Sequence, residues 1–340
     1  MDDGQEYGPV RNCADARSKR TAVLARFANG SATSMSKRVP GPRKRWGGLL
    51  AALPPFPGKG RITDAAALLM RFSANKEKTT CLWPGTPFFV DLSDRIHRVM
   101  WAGCYEPHVM RALRAILRPG DVFVDIGAHI GYHSYLAAGL VGPLGAVYAF
   151  EPDPVVFARL RRNLESFPAA HALNVALFEL DTEAAFERSA MRNESGWGTL
   201  TTVRDTQRGQ RITVPCRSLD SWSSSQNLSR LRLIKLDAEG SEPRVILGAR
   251  RVLRKFRPVL VLEMNGVLLR QAGSSAVALQ ELLRLERYTI YRIERAALWE
   301  IPVPVEFDLA DTVAIPEEGL QDTLAAFQQL GVCRIEASRS

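Results

Sequence analysis

The chain has 340 residues, 46% of them hydrophobic, which suits about two domains' worth of material or one large α/β domain with additions and argues against a wholly disordered chain or a bare interaction tail. Five widely spaced cysteines, Cys13, Cys81, Cys104, Cys216 and Cys333, include no C-x-x-C pair, which argues against a disulfide framework or zinc ribbon and for a reducing compartment. Residues 1–47 hold ten Lys and Arg against four Asp and Glu and so carry +6 of the net charge of +9; the basic balance belongs to a tail and does not mark the whole chain as nucleic-acid binding.

Residues 1–60 read as a disordered basic extension. Between Pro40 and Gly60, ten of 21 residues are Pro or Gly, interleaved with Arg43-Lys44-Arg45, and such composition buries too little apolar surface to offset chain entropy. Residues 61–118 form a predicted cap: a helix over Ile62–Phe72, a strand over Thr86–Leu92, and a helix over Pro107–Leu117 whose Val109, Leu113 and Leu117 share one face. No membrane span is expected, because the apolar stretch His133–Phe150 is broken by Gly139, Gly142, Pro143 and Gly145. The opening MDDGQEYGP lacks the basic and apolar regions of a signal peptide, so a cytoplasmic location is expected.

From Val122 the chain alternates. Strands are expected at Val122–Ile126, Ala146–Phe150, Leu173–Leu177, Leu231–Leu236 and Val259–Glu263, with helices at Pro154–Ser166, Glu242–Phe256 and Ala276–Arg284. Closing strands are expected near Tyr288–Ile293 and Asp311–Ile315. Short apolar strands alternating with amphipathic helices predict an α/β fold, a mostly parallel sheet with helices on both faces. The segment Ala184–Cys216 reads as a β-hairpin insertion. Residues 119–315 make the ligand-binding domain and 316–340 a C-terminal helix and tail, whose stripe of Leu320, Leu324, Phe327 and Leu330 suits either core packing or a homodimer contact. In the helix 242–256, Ser241 is the expected cap and Glu242 a first-turn acid.

Ligands of open parallel sheets bind beyond the carboxyl ends of the strands. The first central strand ends in Asp125-Ile126-Gly127-Ala128-His129-Ile130-Gly131, a D-x-G-x-x-x-G loop before a helix, where glycines permit close backbone approach and a helix N-terminus offers free N–H groups. A dinucleotide fingerprint requires G-x-G-x-x-G; His129 and Tyr132 stand in its place and would obstruct a pyrophosphate. That spacing disfavours a nicotinamide oxidoreductase and suits a nucleoside ligand such as S-adenosylmethionine. Glu151, 26 residues after Asp125 at the end of the next strand, is placed to accept from ribose hydroxyls. Asp237 and Glu239 cluster at the end of the strand 231–236, and Glu263 ends its neighbour.

The stretches VFVDIGAHIGYHS, YAFEPDP, LIKLDAEGSEPRVILGA and VLVLEMN, taken in order, resemble the motifs of FkbM-type S-adenosylmethionine-dependent methyltransferases, and the likeness takes in the upstream GCYEPHVMRALRAILRPGD and the closing strands, over about residues 85–315. The resemblance implies a class I methyltransferase fold, Rossmann-like and seven-stranded, and O-methylation of a small hydroxylated acceptor, a sugar or natural product. Carried over by motif, Asp125, Gly127, Ala128, His129, Gly131, Glu151 and Asn174 become cofactor-binding candidates. Asp237 and Glu239 are the catalytic candidates, one or the other orienting and deprotonating the acceptor hydroxyl, and Glu263 and Glu242 acceptor-binding candidates. A Mg²⁺ held by Asp237, Glu239 and Glu263 is the metal alternative, although no spacing is diagnostic for one and no metal is expected. His133 is an alternative base. Trp101, Trp197 and Trp222 are candidates for stacking on a sugar. Two other readings stand beside this one: an RNA methyltransferase with the basic tail as its arm, and a non-catalytic cofactor-binding scaffold.

Overall fold

The structure, a computed structural model, describes residues 77–83, 85–189, 195–196, 198–200, 203, 209–226, 228–294 and 297–331, together with the backbone of 335–337. The extension 1–60, the helix expected over 62–72, and Trp197 lie outside the described residues.

The described chain opens with an antiparallel pair, β1 (Glu77–Thr80) and β2 (Phe88–Asp91), followed by helices Arg95–Trp101 and Pro107–Ile116. Strands β3 (Val122–Ile126), β4 (Ala146–Phe150), β5 (Ala170–Leu173), β10 (Leu233–Leu236) and β11 (Val259–Met264) run parallel in the order β5-β4-β3-β10-β11. Strands β12 (Tyr288–Glu294) and β14 (Ala310–Pro316) complete the seven expected strands, with β14 antiparallel between β11 and β12. The count of seven needs correction: β13 (Ala297–Glu300) and β15 (Ile335–Ala337) extend that edge to nine strands among the described residues.

Side-chain alternation divides the apolar residues of β3 between two layers. Phe123 packs with the helices 107–116, Tyr132–Val141 and Pro154–Leu164. Val122, Val124 and Ile126 pack against helices from the second half of the chain, including Ala276–Leu285. This is the three-layer arrangement that buries a parallel sheet on both faces. Leu324 and Phe327 of the helix Leu320–Gln329 join the first layer, so within this chain that stripe packs in the core; Leu330 is exposed.

Two expected elements split. The helix 242–256 is two helices, Glu242–Leu247 and Arg250–Phe256. Asp220 breaks it: its backbone N–H donates to the carbonyl of Gly248, and its carboxylate accepts from the N–H groups of Arg251 and Val252 at the start of the second helix. Ser241 makes no side-chain capping bond. The strand 173–177 divides into β5 and β6 (Ala176–Leu177), and β6 leaves the central sheet to pair with β9 (Arg211–Arg217). The insertion is a hairpin of β7 (Thr182–Glu187) and β9, widened by β6 and β8 (Thr199–Leu200) into a four-stranded sheet with its own small core around Phe186 and Val214.

Candidate active site

The parallel register sets Lys235 of β10 beside Asp125 of β3, on the face covered by the helix 132–141. Ser134 of that helix donates its hydroxyl to Asp125 Oδ2 at 2.5 Å. The Lys235 ammonium stands 4.0 Å from Asp125 Oδ1 and 3.0 Å from Asp237 Oδ2. Burial works against the ammonium, yet the carboxylates of Asp237, Asp125 and Glu106 outweigh it and lift the Lys235 pKa above its usual value. Burial raises the Asp125 carboxyl, opposed by Lys235 and Ser134.

The glycine loop follows. Gly127 has φ +73°, and a β-carbon there would collide with the carbonyl oxygen of Asp237. His129 also takes a left-handed backbone, at φ 52°, and its N–H donates to Glu151 Oε2 at 3.0 Å. Glu151 Oε1 accepts from the N–H of Asp153 at 2.9 Å. Burial pushes the Glu151 carboxyl up to about 8, against the pull of those two N–H bonds. The His129 ring bonds to the Ser195 hydroxyl through Nε2 at 2.7 Å, and burial followed by the nearby His97 holds it down at about 3. Ser195 in turn donates to Asp94, so the insertion is tied to the start of the helix 95–101.

The acidic end brings together residues from four strands and a helix start. Asp237, Glu239 and Glu263 line one cavity of about 260 Å³ with Gly127, Ala128, His129 and Glu151. Glu263 lies opposite Asp311 in the β11–β14 register. Burial, then the Asp237, Glu106 and Asp311 carboxylates, raise Glu263 to about 8. Glu239 has φ 51° and accepts the Thr199 hydroxyl at its carbonyl.

Four expected site residues stand outside the cavity wall. Asp125 lies behind it, against Lys235 and Ser134. Gly131 is bare because Leu160 of the next helix would meet a β-carbon at 2.6 Å. Asn174 donates to the carbonyls of Glu151 and Pro152 at 2.8 and 2.9 Å, so its amide fixes the loop after β4 and leaves the wall to Val175. Glu242 is a loop clamp: Oε1 accepts from Ala238 N–H at 2.8 Å and Oε2 from Gly240 N–H at 3.1 Å. Burial raises Glu242 to about 7, against those bonds. Trp101 and Trp222 are core residues, Trp222 packing edge-on against Phe150 and Tyr148, and neither lines the cavity. Among the described residues, no group of three or more His, Cys, Asp and Glu side chains has an arrangement suited to holding a metal ion.

Sequence reasoning missed Glu106, Tyr105 and Lys235, all in the wall. Lys235 stood in the motif without a role; its signal is a lysine inside an otherwise apolar strand. Glu106 had the weaker signal of an acid just before a helix-initiating proline. The other walls come from Ile96 and Met100 of the cap and from Phe186, Ser195, Thr199 and Leu200 of the insertion.

Residues 125–290 match the family model for the methyltransferase FkbM domain. The 2-O-methyltransferase NoeI of Sinorhizobium fredii is 28% identical over 151 residues, 41% of this chain and 62% of that protein. The hexuronic acid methyltransferase AglP of Haloferax volcanii is 27% identical, covering 46% of this chain and 61% of its own length. The 31-O-demethyl-FK506 methyltransferase FkbM of Streptomyces tacrolimicus is 30% identical over 43% of this chain and 64% of its own. The chain thus spans about three fifths of the length of these relatives. A crystal structure of an FkbM methyltransferase from Methylobacillus flagellatus superposes with a TM-score of 0.38 at 16% identity, covering 65% of this chain and 54% of that one.

Proposed function

We propose that this chain, a member of the FkbM methyltransferase family through its residues 125–290, transfers a methyl group from S-adenosylmethionine to a hydroxyl of a sugar or natural-product acceptor. The observation that carries the reading is one cavity in which a bare glycine loop, the buried Glu151 carboxyl and the acids Asp237, Glu239 and Glu263 meet. Three relatives support the class of chemistry, as they are a 2-O-methyltransferase, a hexuronic acid methyltransferase and a 31-O-demethyl-FK506 methyltransferase.

The residues fit the cofactor on their own chemistry. Gly127 keeps its backbone bare where any side chain would strike Asp237. Glu151 presents acceptor oxygens to ribose hydroxyls. Phe150, Val175 and Leu177 give the same cavity apolar wall suited to a purine. Asp237, Glu239 and Glu263 suit a ligand that carries sulfonium and ammonium charge. Asp125 and Asn174 act from behind, one through Lys235 and Ser134, the other by fixing the loop that carries Glu151.

When bound, the cofactor supplies an electrophilic methyl on sulfur. The protein's own task is alignment, which can lower a barrier by about 7–11 kcal/mol, and acceptance of the hydroxyl proton. Asp237 is held at a fixed place by Lys235, where it can orient the acceptor; Glu239 lies beside it in the wall.

The test is incubation with methyl-labelled S-adenosylmethionine and a panel of neutral methyl glycosides, uronic acid glycosides, polyketide polyols and RNA, read by mass spectrometry. Label on a panel hydroxyl supports the reading. Transfer to RNA alone would replace it with the RNA methyltransferase, and cofactor binding without any transfer would replace it with the scaffold.

A further inference from the structure

Glu106 occupies the N-cap of the helix 107–116, yet its side chain makes no capping bond and its backbone sits at φ 38°. That left-handed conformation is disfavoured for a residue with a β-carbon and is held only where the surroundings over-determine it. The carboxyl turns instead into the cavity, beside Tyr105 and His133. Its Oε2 stands 3.5 Å from His133 Nε2. His133 is 3% exposed, and this nitrogen has no hydrogen-bond partner. A buried ring nitrogen without a partner is costly, and one in a cavity wall is completed by what the cavity holds.

We propose that Glu106 and His133 form the acceptor-activating pair: the acceptor oxygen accepts a hydrogen bond from His133 Nε2–H and gives its own proton to the Glu106 carboxylate. The inference rests on the methyltransferase reading above and deepens it by moving the base from Asp237 and Glu239 to Glu106. In the balanced step, the acceptor oxygen forms a bond to the methyl carbon as its O–H bond breaks. The proton goes to Glu106, and the electron pair of the broken carbon–sulfur bond stays on sulfur as a neutral thioether. The negative charge of the carboxylate and the positive charge of the sulfonium disappear together.

Tyr105 hydrogen-bonds to the Glu106 carboxyl, and two neighbouring acids are engaged elsewhere. Asp237 is paired with Lys235 at 3.0 Å, and Glu242 is engaged by backbone N–H groups. The charged and titratable groups facing Glu106 are Tyr105, His108, Tyr132, His133, Lys235, Asp237 and Glu263. Burial raises the Glu106 carboxyl, Lys235 opposes it and Asp237 adds to it, leaving it at about 7, where a base is effective at neutral pH. Burial keeps the His133 imidazole well below its usual pKa, hence neutral.

The experiment compares wild type, Glu106→Gln and Glu106→Asp by calorimetry with S-adenosylhomocysteine, and by methyl transfer from pH 5.5 to 9 to the panel glycoside that the wild type methylates fastest. Expected for Glu106→Gln is turnover at least a hundredfold lower, product affinity within threefold of wild type, and loss of the rising limb near pH 7. Glu106→Asp keeps that limb at reduced turnover. Glu106→Gln turnover within threefold of wild type overturns the proposal, as does loss of homocysteine-product binding along with turnover, which would assign Glu106 to the cofactor's own site. A wild type that binds no S-adenosylhomocysteine contradicts the methyltransferase reading itself, a separate result that takes this proposal with it.

Discussion

Gly127 and Asp237 meet backbone to backbone: a β-carbon on Gly127 would lie 1.8 Å from the Asp237 carbonyl oxygen. The glycine loop and the acidic loop are therefore packed against each other with no room for a side chain between them. Gly127→Ala forces both a clash with backbone and a side chain at φ +73°, so a loss of about 3 kcal/mol in urea unfolding is expected. S-adenosylhomocysteine affinity should fall at least tenfold. A variant with wild-type stability and affinity would show that the two loops are not so coupled.

Lys235 is the cation between Asp125 and Asp237. Lys235→Met leaves a fully buried acid without its counter-charge, and removal of one partner of a buried pair costs about 3–5 kcal/mol. The double variant Lys235→Met/Asp237→Asn should recover part of that loss. Chemical denaturation of the three proteins checks both statements; a neutral Lys235→Met would contradict them.

The buried carboxyls give the ligand-free protein a definite pH response. Glu151 and Glu263 rise to about 8 and Glu242 to about 7 from an ordinary 4.5, so the folded state holds protons that the unfolded state has released. Their contribution is fully present below about pH 4.5 and is lost as pH rises through 7 to 8. The buried histidines act in the opposite sense: His97 at about 4 and His129 at about 3 contribute above 6.5 and lose that contribution on acidification. Above pH 6.5 only the carboxyls still titrate among these groups, so Tm should fall between pH 6.5 and 8.5. Glu151→Gln should flatten that fall. A wild-type Tm that is level or rising across the window would refute the assignment.

The central sheet was legible because its strands are short apolar runs interrupted by single charged residues, as VFVDI and LIKL show. The glycine loop was legible because a nucleotide fold leaves few other reasons for Gly127 and Gly131, although Gly131 proves to be bare for helix packing against Leu160. What the sequence hid depends on partners far along the chain. The break at Gly248 comes from Asp220. Likewise, Glu242 is indistinguishable in sequence from an acceptor-facing acid until the Ala238 and Gly240 N–H groups are seen to occupy it. Glu106 reads as a helix-start acid, and only its left-handed backbone and missing cap show that it faces the cavity.

Asn174 tests the difference between touching the cofactor and holding its loop. Its amide ties down the carbonyls of Glu151 and Pro152, and loss of such bonds costs about 1–3 kcal/mol. Asn174→Ala should lower stability by that order. It should weaken S-adenosylhomocysteine binding less than replacement of Glu151 does. Equal losses of affinity in the two variants would place Asn174 in direct contact with the ligand.

The most direct test is calorimetric titration of wild type and Glu151→Ala with S-adenosylhomocysteine. The account predicts binding in the micromolar range by wild type and at least a tenfold loss in the variant, since the ribose hydroxyls would lose their carboxylate partner. Equal affinity in the two proteins would contradict the role of Glu151, and no binding by folded wild type would contradict the methyltransferase account as a whole.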